Sequence, residues 1–102
     1  MYSSAVIEET VVRLLREAQS QLPPDVVHAL EQAVQEERDP IALSQLQIIL
    51  ANVHAAAKDV VPMCQDTGVP IFFVRGGYDH RLEEAIRRGV ARATEEVPPW
   101  TP

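Results

Sequence analysis

Cysteine, glycine, aromatic residues and positive charge are all scarce in this 102-residue chain. Its single cysteine, Cys64, excludes an internal disulfide and cannot alone build a metal site of three or four ligands. Lys and Arg number 9 against 15 Asp and Glu, which gives a net charge of -6. This balance argues against nucleic-acid binding, because phosphates require basic side chains, and it would also repel other anionic ligands.

Long apolar runs and targeting signals are absent as well. No apolar stretch approaches the roughly 18–20 residues of a membrane span, and residues 1–7 lack the basic and apolar regions of a secretory signal. These absences predict that the protein has no membrane partner and is cytoplasmic. The hydrophobic share of 46% is that of a globular protein with one modest core.

Four stretches have the periodicity of helices, with apolar residues at steps of three and four. The predicted helices cover residues 4–22, 25–38, 41–58 and 79–96. Ser3 or Ser4 is the expected cap of the first helix, and Asp39 that of the third. The third helix is apolar almost all round, so we expect it to be central and largely buried. On the last helix, the residues expected to face inward are Leu82, Ile86, Val90 and Ala93.

A short strand is predicted between the third and fourth helices. Residues 69–74 form an apolar, β-branched and aromatic run that ends at Gly76-Gly77. Pro70 near its start indicates an edge or entry position. One strand cannot stand alone, so it requires a partner from another chain, from downstream sequence or from a short segment such as 59–62.

The predicted fold class is therefore mostly α with a minor β element (α+β), with about four helices and one short strand. We expect residues 1–102 to form a single amino-terminal, mostly helical domain or a fragment of a larger fold. The Pro-rich tail, residues 97–102, is interpreted as a linker.

The loop before the predicted strand, residues 62–68, reads Pro-Met-Cys-Gln-Asp-Thr-Gly. It places a thiol, an amide, a carboxylate and a hydroxyl in consecutive positions. Without its neighbours, Cys64 would more often be a small buried apolar residue than a ligand, and Asp66-Thr67-Gly68 would be a common turn. A nucleophilic Cys64 is a weaker interpretation, because no histidine lies at a spacing that would activate it.

The seven residues of this loop resemble, in order, the Pro-x-Cys-Gln-Asp-Thr-Gly segment of class I fumarate hydratases and tartrate dehydratase alpha subunits. The resemblance also covers the helical stretch before the loop, including Leu22-Pro23 and the segment from Leu46 to Asn52, and continues through residues 69–74. The chain is therefore similar, over most of its length, to the amino-terminal portion of such an alpha subunit.

The resemblance implies a role for each residue of the loop. Cys64 would be one of three cysteines that hold a [4Fe–4S] cluster, whose fourth iron binds substrate. Gln65 would be a hydrogen-bonding amide at the substrate, and Asp66 a substrate contact and catalytic proton-transfer group. Thr67 and Gly68 would complete the substrate-binding loop.

The implied activity is that of a hydro-lyase, which reversibly hydrates or dehydrates a small dicarboxylate such as fumarate or tartrate. The other two cluster ligands, the catalytic base and most basic groups would lie in a downstream portion or a beta subunit of the same enzyme. The complete enzyme is expected to be an oligomer, and the isolated chain to be inactive. The alternative function is a non-catalytic helical assembly module that retains the fold.

Overall fold

The computed structural model describes residues 2–64 and 68–97 of the chain. The helices of this part are α1 Ser4–Ser20, α2 Pro24–Glu36, α3 Pro40–Asp59 and α4 His80–Glu96. The four helices predicted from periodicity are confirmed, with ends within about two residues of the predicted ones. The predicted α+β class is wrong, because the described part of the chain is helical and contains no strand.

Residues 69–74 account for this difference. They have no assigned secondary structure, and the side chains of Val69, Ile71 and Phe73 are 84%, 74% and 94% exposed. A strand exists only when its N–H and C=O groups pair with a neighbouring strand. Residues 59–62, the candidate partner within the chain, form the end of α3 and its exit turn instead. β-branched composition alone therefore does not produce a strand here.

Local side-chain caps explain where three helices begin. Ser3, Asp39 and Asp79 each accept a backbone N–H of the first helical turn, at 3.3, 3.1 and 2.9 Å. Pro24 and Pro40 are the first residues of α2 and α3. Proline is tolerated at this position because an N–H there would have no hydrogen-bond partner within the helix.

The described chain forms two compact units, of which the first comprises residues up to Glu17 and from Cys64 onward. Its core joins α1 to α4 through Val12, Ala93 and Val97, with Leu15 packed against them. The residues of α4 that are buried are Ala85, Gly89 and Ala93. Of the predicted inward face only Ala93 is fully buried, whereas the larger Leu82, Ile86 and Val90 are partly exposed. Small residues at intervals of four let the two helices approach closely.

The tail predicted to be a linker begins inside this core. Val97 is only 5% exposed, and its N–H donates to the Ala93 carbonyl at 2.9 Å as the last bond of α4. Val97 therefore belongs to the packed unit. Residues 98–102 of the predicted linker lie outside the described residues.

The second unit, Ala18–Met63, contains the successive helices α2 and α3, which pack on each other. Glu31 of α2 lies 3.8 Å from His54 of α3. On α3 only Val53 and Ala56 are fully buried. The prediction of a largely buried central helix is wrong in this structure, because within its unit α2 covers only part of the apolar circumference of α3.

By length and composition, α3 is also long and apolar enough to cross a membrane. This corrects the sequence prediction that no segment would qualify. One such helix is weak support for a membrane span, because the core helix of a globular protein meets the same criterion.

Candidate functional site

The approach to the candidate loop begins with the turn that ends α3. Val60 has φ 53° and ψ 51°, and among the described residues it is the one non-glycine with a positive φ. Its N–H and that of Val61 both donate to the Ala56 carbonyl, the latter at 3.1 Å. A left-handed residue closes many helices, but glycine usually occupies it, and an L-residue there costs roughly 1–2 kcal/mol. The chain therefore turns sharply, at some cost, three residues before the loop's methionine.

Met63 is held by both of its backbone polar groups. Its N–H donates to the carbonyl of Gln19 at 3.0 Å, near the end of α1. Its carbonyl accepts a hydrogen bond from the side-chain amide of Asn52, on α3, at 2.7 Å. The backbone entering the loop is thus fixed to two helices immediately before Cys64.

Cys64 is a free thiol with an exposed side chain. Deprotonated, it is the soft ligand that iron–sulfur clusters prefer, so its chemistry and its accessibility both fit a place in such a cluster. Within the described ranges, no three His, Cys, Asp or Glu side chains lie together as a metal site. Since the sequence has no second cysteine, this chain can supply one thiolate ligand of a cluster and no more.

The remaining predicted site residues divide into two groups. Gln65, Asp66 and Thr67 lie outside the described residues, so their predicted roles stay predictions. Gly68 is exposed, and a Cβ built on it would meet nothing within 4 Å. Its predicted place in the substrate-binding loop therefore stays a prediction as well.

The groups whose pKa is shifted lie on α4 or next to it. A hydrogen bond from the Tyr78 hydroxyl to Glu83 raises the pKa of Tyr78 and lowers that of Glu83, with Arg87 adding to the second effect from 2.9 Å. A hydrogen bond from Arg92 lowers the pKa of Glu96 in the same way. These shifts come from ion pairs and hydrogen bonds on exposed helix surfaces, where they stabilise helices and helix contacts.

Asn52 is the residue at this site that sequence reasoning missed. The sequence predicted it only as part of the helical segment that resembles the family. A signal was nevertheless available, because Asn52 is the chain's one asparagine and interrupts an otherwise apolar stretch of α3. Asparagine is a poor helix former whose side chain competes for backbone hydrogen bonds, so its presence inside a helix suggests a specific partner.

Comparison with known proteins now identifies the family. The family described as "Fumarate hydratase (Fumerase)" matches residues 8–99, nearly the whole chain. The chain belongs to the fumarate hydratase family. This membership confirms the resemblance inferred from residues 62–68 and the helices before them.

Two relatives show how much of a fumarate hydratase family protein the chain represents. A Methanocaldococcus jannaschii protein named "Putative L(+)-tartrate dehydratase subunit alpha" is 44% identical over 98 residues, which cover 90% of this chain and 34% of that protein. A Geobacillus stearothermophilus protein named "Putative fumarate hydratase class I" is 34% identical over 92 residues, which cover 86% of this chain and 18% of that protein. The chain thus spans about a third or less of the length of these relatives.

Proposed function

We propose that this chain is the amino-terminal, cluster-bearing portion of an iron–sulfur hydro-lyase that adds water to, or removes it from, a small dicarboxylate such as fumarate or tartrate. The observation that carries the proposal is the exposed thiol of Cys64, which directly follows a backbone anchored to two helices in a chain of this family. An anchored, accessible thiolate suits a shared cluster better than it suits a packed core.

In this proposal each loop residue has a distinct task. Cys64 would hold one iron of a [4Fe–4S] cluster, and the cluster, when bound, supplies a Lewis acid for the substrate's hydroxyl and carboxylate. Gln65 would donate a hydrogen bond to a substrate carboxylate. Asp66 would contact the substrate and transfer a proton. Thr67 and Gly68 would shape the loop so that its backbone approaches the substrate.

The proposal also requires a partner. One thiolate cannot hold the cluster, and a net charge of -6 opposes the binding of a dianion. The remaining ligands, the catalytic base and the basic groups would come from the downstream portion of the same enzyme or from its beta subunit. The name of the M. jannaschii relative, an alpha subunit, supports a divided enzyme. We therefore expect the isolated chain to be inactive, the complete enzyme to be an oligomer, and its cluster to be assembled in the reducing cytoplasm.

The test is anaerobic reconstitution with iron and sulfide of this chain joined to its natural continuation or partner. Thiolate-to-iron charge-transfer absorption reports the cluster, and hydration of fumarate or dehydration of tartrate reports activity. Cys64→Ser should abolish both while the circular dichroism spectrum is unchanged. The matched control is the double variant Cys64→Ser, Ser44→Cys, which keeps one exposed thiol in the chain but moves it to α3, and it should also fail.

A second function is favoured by a different observation. Apolar side chains are exposed on α3 and along residues 69–74, as in a helical module that serves assembly alone. If the completed protein takes up no cluster and converts neither substrate, the hydro-lyase proposal fails and the assembly module remains. A cluster that survives Cys64→Ser would contradict the role given to Cys64.

A further inference from the structure

Asn52 links α3 to the entrance of the candidate loop. Its side-chain Nδ2–H donates to the Met63 carbonyl at 2.7 Å, across 11 positions of sequence. On the other side of the same residue, the Met63 N–H is bound to Gln19 at 3.0 Å. Met63 is therefore fixed at both polar groups, although it is neither in a helix nor in a strand.

The Met63 carbonyl has a particular relation to Cys64. The carbonyl of one residue and the nitrogen of the next belong to a single planar peptide group. A hydrogen bond that fixes the Met63 carbonyl therefore fixes the plane from which the Cα of Cys64 projects. Because the left-handed turn at Val60 sets the direction of the chain a few residues earlier, the backbone before the thiol is constrained at two points.

Stability gives little reason to keep an asparagine at this position. Within a helix, Asn is less favourable than Ala by a few tenths of a kcal/mol, up to about 0.7. The hydrogen bond to Met63 is solvent-exposed, and such a bond returns about 0.5–1.5 kcal/mol at most. The two terms nearly cancel, so the bond's main effect is on where the Met63–Cys64 peptide points.

We propose that Asn52 is a positioning residue, which orients the Met63–Cys64 peptide so that the Cys64 thiolate is held ready to ligate iron. The inference rests on the proposed function, since it assigns Asn52 a role toward that same ligand. Groups that orient a metal ligand typically change metal affinity by 10–100-fold when they are removed. Asn52 acts through Cys64 and does not itself contact the cluster or the substrate.

The first measurement detects the hydrogen bond itself in the full chain. Because the sequence has one asparagine and two methionines, labelling with ¹⁵N-asparagine and ¹³C-carbonyl methionine gives a nearly unique pair of signals. A scalar coupling between the Asn52 side-chain nitrogen and the Met63 carbonyl carbon is expected. Its absence from the folded chain would overturn the inference.

The second measurement compares Asn52→Asp with Gln47→Glu in the completed, reconstituted protein. Both variants replace an exposed amide of α3 by a carboxylate, so they share the same change of charge. Only Asn52→Asp replaces the donor to Met63 with a group that repels its carbonyl. We expect cluster absorption to decay about 10-fold faster under a chelator in Asn52→Asp, and to match wild type in Gln47→Glu.

Equal cluster retention in both variants, in a protein whose wild type binds a cluster, would overturn this inference and leave the proposed function intact. A wild-type protein that binds no cluster would overturn both. Should Asn52→Asp not fold, Asn52→Ala replaces it, because alanine restores helix propensity while removing the donor. The same acceleration of cluster loss is then expected.

Discussion

At the scale of single residues, Gly89 sets how closely α4 can approach α1. A Cβ at this position would lie 2.6 Å from Cβ and 2.7 Å from Cγ1 of Val11, and 3.0 Å from the backbone oxygen of Glu8. Glycine inside a helix is less stable than alanine by about 1 kcal/mol. The helix accepts that cost here because no side chain fits between the two backbones.

Gly89→Ala should therefore destabilise the chain in spite of its better helix propensity. Forcing one extra carbon into a tight contact costs roughly 1–3 kcal/mol, from which the gain of about 1 kcal/mol in propensity is subtracted. A net loss of about 1 kcal/mol in the free energy of unfolding, measured by urea denaturation, is expected. Gly77→Ala is the matched control, because a Cβ there meets nothing within 4 Å and the backbone φ is not positive. A midpoint that rises in Gly89→Ala would contradict the packing described.

Single residues also show which features a sequence reveals. The caps at Ser3 and Asp39 were predicted, whereas Asp79, the cap of α4, was predicted only as the first residue of that helix. Each cap bonds within its own first helical turn, which makes it a local feature. The roles of Gly89 and Asn52 depend on residues that are distant along the chain. No local pattern specifies such a contact, so both emerged only from the structure. The order of residues 62–68 likewise predicted the family, but not the contacts that hold the backbone before Cys64.

At the scale of secondary-structure elements, α1 and α4 are joined by a network of charges centred on Arg92. Its guanidinium bonds Glu96 of the same helix at 2.7 Å, bonds Glu9 of α1, and lies 3.7 Å from Glu8. Arg16 of α1 adds a longer contact with Glu96 at 4.0 Å. Hydrogen bonds to Glu96 and Glu9 raise the pKa of Arg92, and the bond from Arg92 lowers the pKa of Glu96.

This network predicts an acid-sensitive contact between the two helices. Because the pKa of Glu96 in the folded chain lies below its usual 4.5, its contribution to stability is present above that pH and is lost as the pH falls through the lowered value. Arg92 stays protonated throughout this window. Arg92→Gln should return the pKa of Glu96, measured by NMR titration, part of the way toward 4.5, with Arg16 retaining the rest. Acid unfolding should depend correspondingly less on pH.

Arg13→Gln serves as the control for the charge change. Arg13 pairs with Glu17 on α1 at 4.0 Å, and both side chains are well exposed. This variant should leave the pKa of Glu96 unchanged. If the pKa of Glu96 stays low in Arg92→Gln, the network is not the cause of the shift.

The elements also show where sequence patterns mislead. Helices were predicted well because their hydrogen bonds and caps are local. Residues 69–74 and the apolar face of α3 were predicted to be a strand and a core helix, yet both are largely exposed. Each of those two predictions required a second segment to pack against the first. Composition shows that a segment is suited to burial, but it does not show which segment covers it.

At the scale of the whole molecule, little apolar surface is buried. Among the described residues seven apolar side chains are buried, and three of these are alanines, which contribute little. Large apolar residues remain exposed on α3, at Ile41, Ile48 and Ile49, and along residues 69–74. A surface of this kind is typical of a chain that completes its packing against a partner. In the proposed hydro-lyase that partner would be the downstream portion or the beta subunit.

Phe73, at 94% exposed, gives the sharpest test of this reasoning. Phe73→Glu should leave the urea midpoint of the isolated chain unchanged, because the side chain contacts little there. Binding to the remainder of the proposed enzyme, produced as a separate chain and measured by calorimetry, should weaken about 10-fold or more. Burying a phenylalanine stabilises by roughly 1.5–3 kcal/mol, and 1.4 kcal/mol is a factor of ten. Tyr2→Glu, at a residue 79% exposed, should leave binding unchanged. Equal binding by both variants would mean that residues 69–74 face solvent in the complete enzyme as well, and the partner would then be joined through another surface.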